Sequence, residues 1–310
     1  MKFAQFNQMK HLVKRNIKLY FKDKLTFFLS LITPLILVVL FLTFLKSVYE
    51  TTLLDATKGF ELSKDLVNAF TGSWLFSSII AVSCITVAFC SNMMVTDKIT
   101  KAIMDFKIAP VKRSTISTSY AISNFITTFI VCIIVLAVSL VYLALVGWYI
   151  TFVDILMIIL NIILCVLFGS LLASVVSLFI SSQGGLSAMS TLVSSMYGFI
   201  CGAYMPINSF GEGMKNFVCF IPGTYATILF RQYYMNGIIA EMSKTLPQEM
   251  VAGIKEGFDY TFKFFGTEIQ TGIMFLVLSL SVAVLFVLFV VLSNIKNKKL
   301  TKEVKWNKQK

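Results

Sequence analysis

Three consecutive stretches decide the fold: SSIIAVSCITVAFC (77–90), DKITKAIMDFKIAPVKRST (97–115) and FITTFIVCIIVLAVSLVYLALV (125–146). The first and third contain no charged residue, whereas the middle stretch is basic and contains a proline. A connection between two helices needs only a few residues. The length and charge of the middle stretch therefore predict a structured segment outside the membrane that is contacted by something else.

The composition is that of a membrane protein. Of the 310 residues, 57% are hydrophobic and 14% charged, and the mean hydropathy is +0.83. Soluble domains are about 45–50% apolar and about a quarter charged, and a helix that crosses a bilayer needs about 20 apolar residues. The pattern predicts one all-α integral membrane domain over residues 1–310, with six spans at 25–45, 73–95, 117–147, 153–180, 186–205 and 270–293.

Basic residues orient these spans. Nineteen of the 27 lysines and arginines lie at 1–24, 96–116 and 294–310, together with only four of the 15 acids. Loops rich in lysine and arginine stay in the cytoplasm, so both termini and the 96–116 loop are predicted to be cytoplasmic, in a bacterial plasma membrane. The net charge of +12 reflects this topology and attraction to anionic membrane lipid. Nucleic acid is not expected as a partner, since no basic segment carries a binding motif for it.

The two ends of the chain, both predicted to be cytoplasmic, differ in pattern. Residues 1–24 place Phe6, Val13 and Tyr20 at helical spacing with lysines on another face, which predicts an interfacial helix. The tail at 294–310 is basic without an apolar face, which predicts a solvated segment.

The middle stretch, residues 97–115, has an amphipathic helical pattern. Ile99, Ile103 and Phe106 recur on one helical face, Lys101 and Asp105 lie on another, and Pro110 ends the helix. The apolar face is predicted either to dock on a partner or to rest on lipid.

The segment after the fifth span, residues 206–268, is too apolar for a solvated loop and too interrupted for a span. We expect it to form short helices that dip back into the outer interface, shielded by protein.

Five quoted features in this order resemble one family: the type-2 permeases of ABC transporters, which have the type V exporter fold. They are KRNIKLYFKDK (14–24), Pro34 in the first span, APVKR (109–113), GAYMPI (202–207) and IPGTYATILFRQYY (221–234). The resemblance covers essentially the whole chain. It implies that the cytoplasmic helix is a coupling helix, which docks on an ABC ATP-binding subunit through Ile99, Lys101, Ile103, Asp105, Phe106 and Pro110.

The resemblance also implies the partners. No G-x-x-x-x-G-K-[ST] phosphate loop occurs in the chain, so ATP and magnesium are expected on the separate ATPase, with no cofactor on this chain. Six spans are about half of such a transporter, which predicts a second permease chain, identical or related. Small residues recurring on the fifth span would pack closely, either between chains or within one; they are Ser190, Ser194, Gly198 and Gly202.

The export path is expected between the two permease chains. Its predicted lining is apolar with scattered hydroxyls: Trp74, Ser77, Ser78 and Thr86 on the second span, and Thr191, Ser195 and Tyr197 on the fifth. This favours a hydrophobic or amphipathic cargo such as a lipid, a drug-like molecule or a peptide. Asn124 and Asn161 are predicted to make interhelical hydrogen bonds.

Two other functions stay open at this point. An ion-coupled secondary transporter would need an acid or histidine inside a span, and a membrane-embedded lipid-modifying enzyme would need a catalytic or metal-binding cluster. The only histidine, His11, lies in the predicted interfacial helix, and the six cysteines form no Cys-x-x-Cys pair. Neither a catalytic nor a metal site is therefore predicted.

Overall fold

The computed structural model describes residues 2–109 and 111–307. The described chain is almost entirely helical. Its helices are α1 (Lys2–Lys22), α2 (Lys24–Leu40), α3 (Lys46–Ala56), α4 (Lys64–Cys90), α5 (Met93–Ile99), α6 (Ile103–Ile108), α7 (Arg113–Val146), α8 (Phe152–Phe179), α9 (Gln183–Ile200), α10 (Glu212–Val218), α11 (Pro222–Thr245), α12 (Gln248–Gly257) and α13 (Thr271–Asn307). A π-helical turn at Phe41–Leu45 joins α2 to α3, and the short strands β1 (Lys263–Phe264) and β2 (Thr267–Glu268) form an antiparallel hairpin.

Five helical segments in the described residues are long and apolar enough to cross a membrane: Ser30–Ala56, Lys64–Ile99, Arg113–Val146, Phe152–Phe179 and Thr271–Lys296. This confirms the all-α membrane class. The predicted fifth span corresponds to α9, which has 18 residues and is therefore about 27 Å long. Several serines and a glutamine make it more polar than the five, so the count of six spans is not confirmed.

Helix α4 is the centre of the bundle. In its most apolar 18-residue window, 94% of the residues are buried, against 11% for α13. Helices α2, α7, α8, α9 and α11 all pack against it. The closest approach is at Gly169 of α8, where an added Cβ would lie 2.6 Å from the carbonyl oxygen of Cys84. Glycine there lets the two backbones meet, as small residues do in membrane helix packing.

Buried amides join neighbouring helices. Asn124 of α7 donates to the Ala88 carbonyl at 3.0 Å and accepts from the Ser91 hydroxyl. Asn161 of α8 donates to the Ala226 carbonyl of α11, also at 3.0 Å. Both predicted interhelical hydrogen bonds are confirmed.

The predicted N-terminal helix is present as α1, and one side of it packs along α7. Asn16 is buried and donates to the Ser123 hydroxyl at 3.3 Å. The hydroxyls of Tyr20 and Ser30 lie 2.7 Å apart, which ties α1 to the start of the first span. At the other terminus, α13 continues as helix to Asn307, and a solvated tail from residue 294 stays a prediction. The sequence from 294 to 307 contains neither proline nor glycine to stop the helix.

The segment after α9 contains two short helices, α10 and α12, but its α11 has 24 residues and is longer than expected. α11 begins at Pro222, which occupies the first turn of that helix, where proline is well tolerated. The helix packs against α4, α8 and α13. At Gly237 an added Cβ would lie 1.8 Å from the Tyr149 carbonyl oxygen, so glycine is required for this approach. That the segment dips into the membrane stays a prediction.

Candidate functional site

The segment between α4 and α7 is two short helices rather than one. α5 ends at Ile99 and α6 begins at Ile103, with Lys101 between them at φ 63. The prediction of one continuous helix is therefore wrong, and Ile99 does not share a helix with Ile103 and Phe106. The break follows from the tertiary structure. Side chains of α5 are held by three other helices, and the chain turns after α5 before α6 begins.

A buried acid holds the start of this segment. Asp97 is 4% exposed. Its carboxylate accepts hydrogen bonds from both terminal nitrogens of Arg15 on α1, one of them at 3.1 Å, and from the Tyr120 hydroxyl on α7. The hydrogen bonds to Asp97 raise the pKa of Arg15. A guanidinium and a carboxylate paired through two hydrogen bonds have a defined relative orientation, so α1, α5 and α7 are joined at one point.

The neighbouring lysine joins the same segment to α8. Lys98 donates to the backbone carbonyls of Ser177 and Ile180, the latter at 2.9 Å. These carbonyls lie at the C-terminal end of α8, where the helix dipole favours a cation. Lys296 of α13 donates to the Leu178 carbonyl in the same place. Four helices therefore meet around α5.

The predicted coupling residues divide into two groups. Ile99, Ile103 and Phe106 are half-buried, and the Phe106 ring lies under the Arg15 guanidinium at 5.0 Å. Lys101 and Asp105 are exposed, as is Met104 between them. Pro110 lies outside the described residues. Contact of any of these residues with an ATPase stays a prediction. We call the exposed residues Lys101, Met104 and Asp105 the tip.

The predicted path residues lie in two different environments. Those on α4 are buried: Trp74, Ser77, Ser78 and Thr86. The three hydroxyls among them donate hydrogen bonds to backbone carbonyls of α4 itself. On α9, Thr191 and Ser195 are exposed on one face, beside the apolar Leu192, Met196 and Phe199. The Tyr197 hydroxyl is buried and has no hydrogen-bond partner among the described residues. The structure of one chain therefore does not bring the two sets together, and their role stays a prediction.

The small residues of α9 face their own chain. Ser190 donates to the Phe89 carbonyl at 3.3 Å, and the Tyr204 hydroxyl donates to the Ser194 carbonyl at 3.1 Å. A Cβ at Gly198 would lie 2.2 Å from the Tyr204 ring. Gly202 has φ +72, a conformation that favours glycine. These contacts match the within-chain alternative for the stripe; a contact between chains through it stays a prediction.

Sequence reasoning missed a second buried charge pair. Arg231 of α11 is fully buried and lies 2.7 Å from the carboxylate of Asp259, which is 2% exposed. The guanidinium also lies 4.7 Å from the Trp74 ring centre and donates to the Gly202 carbonyl. The available signal was a single arginine inside the apolar run TYATILFRQYY, since a charge in such a run is costly and usually functional.

This pair joins the segments that are predicted to lie on the outer side of the bundle. Asp259 accepts a 2.6 Å hydrogen bond from the Ile207 backbone N–H as well as the bond from Arg231. Trp74 donates to the Phe258 carbonyl at 3.1 Å. Burial raises the pKa of the Asp259 carboxyl, which Arg231 and the backbone donors partly offset. We call the group of Trp74, Arg231 and Asp259 the outer charge cluster.

The fold, the contacts around Asp97 and the outer charge cluster together define a multi-pass helical membrane protein. It has a structured segment between its second and third long apolar helices. A family model described as ABC-2 type transporter matches residues 7–235, which is most of the chain. The chain belongs to the ABC-2 type transporter family, and it is an ABC-type transporter permease. Permeases of this family generally work with an ABC ATP-binding partner. The search of curated proteins found no match to this chain.

Proposed function

We propose that this chain is the permease subunit of an ATP-driven exporter that moves a hydrophobic or amphipathic cargo outward. ATP and magnesium bind a separate ATPase, and this chain binds no cofactor. Both termini and the 96–116 loop lie in the cytoplasm, and the protein resides in the bacterial plasma membrane. The family match supports the transporter class over a membrane-embedded lipid-modifying enzyme.

One observation carries the coupling part of this proposal: Asp97 and Lys98 bind α5 to α1, α7 and α8 at the same point. A force applied at the exposed tip would be passed to all of these helices, because a buried bidentate ion pair resists reorientation more than a single exposed contact does. The ATPase docks at the tip, and the half-buried Ile99, Ile103 and Phe106 support it from behind.

Two permease chains form the transporter, and α9 is the fifth of six spans in each. The outward face of α9 carries apolar side chains and two hydroxyls, Thr191 and Ser195. Such a face suits contact with an amphipathic cargo between the chains. The cargo remains a lipid, a drug-like molecule or a peptide as a class.

The test is transport into inside-out vesicles that contain this chain and its partner ABC ATPase. We expect ATP-dependent accumulation of a fluorescent amphiphile, lost when the phosphate-loop lysine of the ATPase is replaced by alanine. A proton ionophore should leave the accumulation unchanged. Accumulation that survives the ATPase variant but collapses with the ionophore would instead identify an ion-coupled secondary transporter.

A further inference from the structure

A cavity of about 490 Å³ lies where α11, the loop after α12 and the start of α13 meet. Its volume falls in the range of small-molecule sites, about 300–1,000 Å³. Its lining is polar and aromatic rather than aliphatic: Gln232, Tyr233, Asn236, Tyr260, Thr261, Glu268, Ile269, Gln270 and Thr271. None of the coupling residues or the predicted path residues lines it.

One carboxylate lines this cavity and a second lies behind its wall. Glu268 is exposed at its edge and has no ion pair among the side chains that the structure describes. Lys263, opposite Glu268 in the hairpin, donates instead to Glu256 at 2.7 Å. Behind the wall, Asp154 is 2% exposed, and its carboxylate accepts from Asn236 at 3.0 Å and from Thr151, with no basic partner in the described part of the chain.

The walls add aromatic surface. Tyr233 and Tyr260 are partly exposed to the cavity. Burial, and after it the charge of Asp154, raise the pKa of both phenols, which places both rings within the field of that carboxylate. Lys255, which does not line the cavity, has its ammonium 5.5 Å from the centre of the Tyr260 ring, so this ring already contacts a cation.

The amide side chains hold these walls in place. Gln232 donates to the Tyr260 carbonyl at 3.0 Å and accepts from Thr271 at 3.1 Å. The Tyr260 hydroxyl lies 3.4 Å from the Asn236 amide oxygen. Hydrogen bonds therefore set the positions of Tyr260 and of the Asp154 carboxylate before any ligand arrives, which reduces the cost of binding.

We propose that this cavity binds the ammonium group of an organic cation, with Tyr233 and Tyr260 as aromatic walls and Glu268 as the counter-charge. Aromatic rings with a nearby carboxylate favour ammonium groups over neutral groups of the same shape. The ammonium belongs either to a choline or ethanolamine lipid headgroup or to a soluble cationic molecule. The proposal stands apart from transport, because binding is measurable without the ATPase.

The first test is a titration of choline and of its neutral isostere 3,3-dimethylbutanol. The protein is held in phosphatidylglycerol nanodiscs, which contain no ammonium, and saturation-transfer NMR reports binding. We expect choline to bind about tenfold more tightly than the isostere, in the range of desolvated cation–aromatic contacts. Equal binding of the two compounds would overturn the proposal.

Variants then locate the site. Glu268→Gln and Tyr260→Leu should each weaken choline binding at least fivefold or so. Tyr260→Phe, which keeps the ring, should not weaken it. The matched control is Glu241→Gln, which removes an exposed carboxylate on α11 that pairs with Lys244 away from the cavity. If the Glu268 and Glu241 variants bind choline alike, the cavity is not the ammonium site, and thermal unfolding checks that each variant is folded.

The last arm separates the two sources. Phosphatidylcholine added to the nanodiscs should compete with choline, and native mass spectrometry should retain it on wild type and not on Glu268→Gln, if the ligand is a lipid. Choline binding that phosphatidylcholine leaves unchanged would assign the cavity to soluble cations.

Discussion

Arg15 and Asp97 are 82 positions apart in the chain, yet they form a two-point ion pair that joins α1 to α5. Phe106 of α6 lies against the same guanidinium. Helix α1 and the segment between α4 and α7 are therefore one structural unit.

Replacing Asp97 by asparagine should loosen this unit. We expect a loss of about 1–2 kcal/mol in the free energy of unfolding, less than the 3–5 kcal/mol for a fully buried pair, because the Arg15 side chain is 31% exposed. The stimulation of ATP hydrolysis by cargo should fall more than the binding of the ATPase subunit does. Asp105→Asn, an exposed acid on the same segment, is the control. Normal stimulation in the Asp97 variant would show that the ion pair does not transmit motion.

The tip should carry most of the ATPase contact. Met104→Ala should weaken co-purification of the ATPase several-fold, because apolar side chains buried at an interface dominate its energetics. Lys101→Ala should have a smaller effect, as exposed charges usually do. Phe106→Ala should lower both ATPase binding and the melting temperature, because its ring packs on Arg15. If Phe106→Ala and Met104→Ala both leave ATPase binding at the wild-type level, the segment rests on lipid instead.

Breaking the outer charge cluster should destabilise the fold strongly. Arg231→Leu leaves the Asp259 carboxylate buried without its partner, which costs about 3–5 kcal/mol. The double variant Arg231→Leu with Asp259→Leu should recover part of that loss, since no lone charge is left. Lys244→Leu, on the exposed end of α11, serves as the matched control. Thermal unfolding in detergent measures all four proteins, and a double variant no more stable than Arg231→Leu would contradict the expected coupling.

Gly198 tests where the small residues of α9 pack. Gly198→Ala should destabilise the monomer by about 1–3 kcal/mol, as overpacking does, because the new methyl would meet the Tyr204 ring. Adding Tyr204→Ala should relieve the clash. Gly213→Ala, where nothing lies within 4 Å, is the control. If Tyr204→Ala gives no rescue and the Gly198 variant instead loses its crosslinks to a second chain, the stripe packs between chains.

The sequence determined the class of the fold, because each charged side chain and each unpaired backbone polar group placed in lipid adds its own free-energy cost. Long apolar runs therefore predicted helices that match α7, α8 and the apolar part of α13 closely, whereas α4 runs from Lys64 to Cys90 against a predicted span of 73–95. The helical period also predicted α1, and buried asparagines predicted interhelical hydrogen bonds. Each of these inferences depends on a local stretch of chain.

Only the tertiary structure shows which residues contact Asp97 and which contact Arg231. Asp97 has partners on α1 and α7, and Arg231 has partners on α4, in the loop after α9 and at Asp259. The turn at Lys101 and the inward orientation of Gly198 follow from such long-range contacts, which no periodicity encodes. A helical pattern predicts which residues share a face of the helix. It does not predict which other helix that face contacts. The hydrophobic effect is non-directional, so several neighbouring helices could bury the same face.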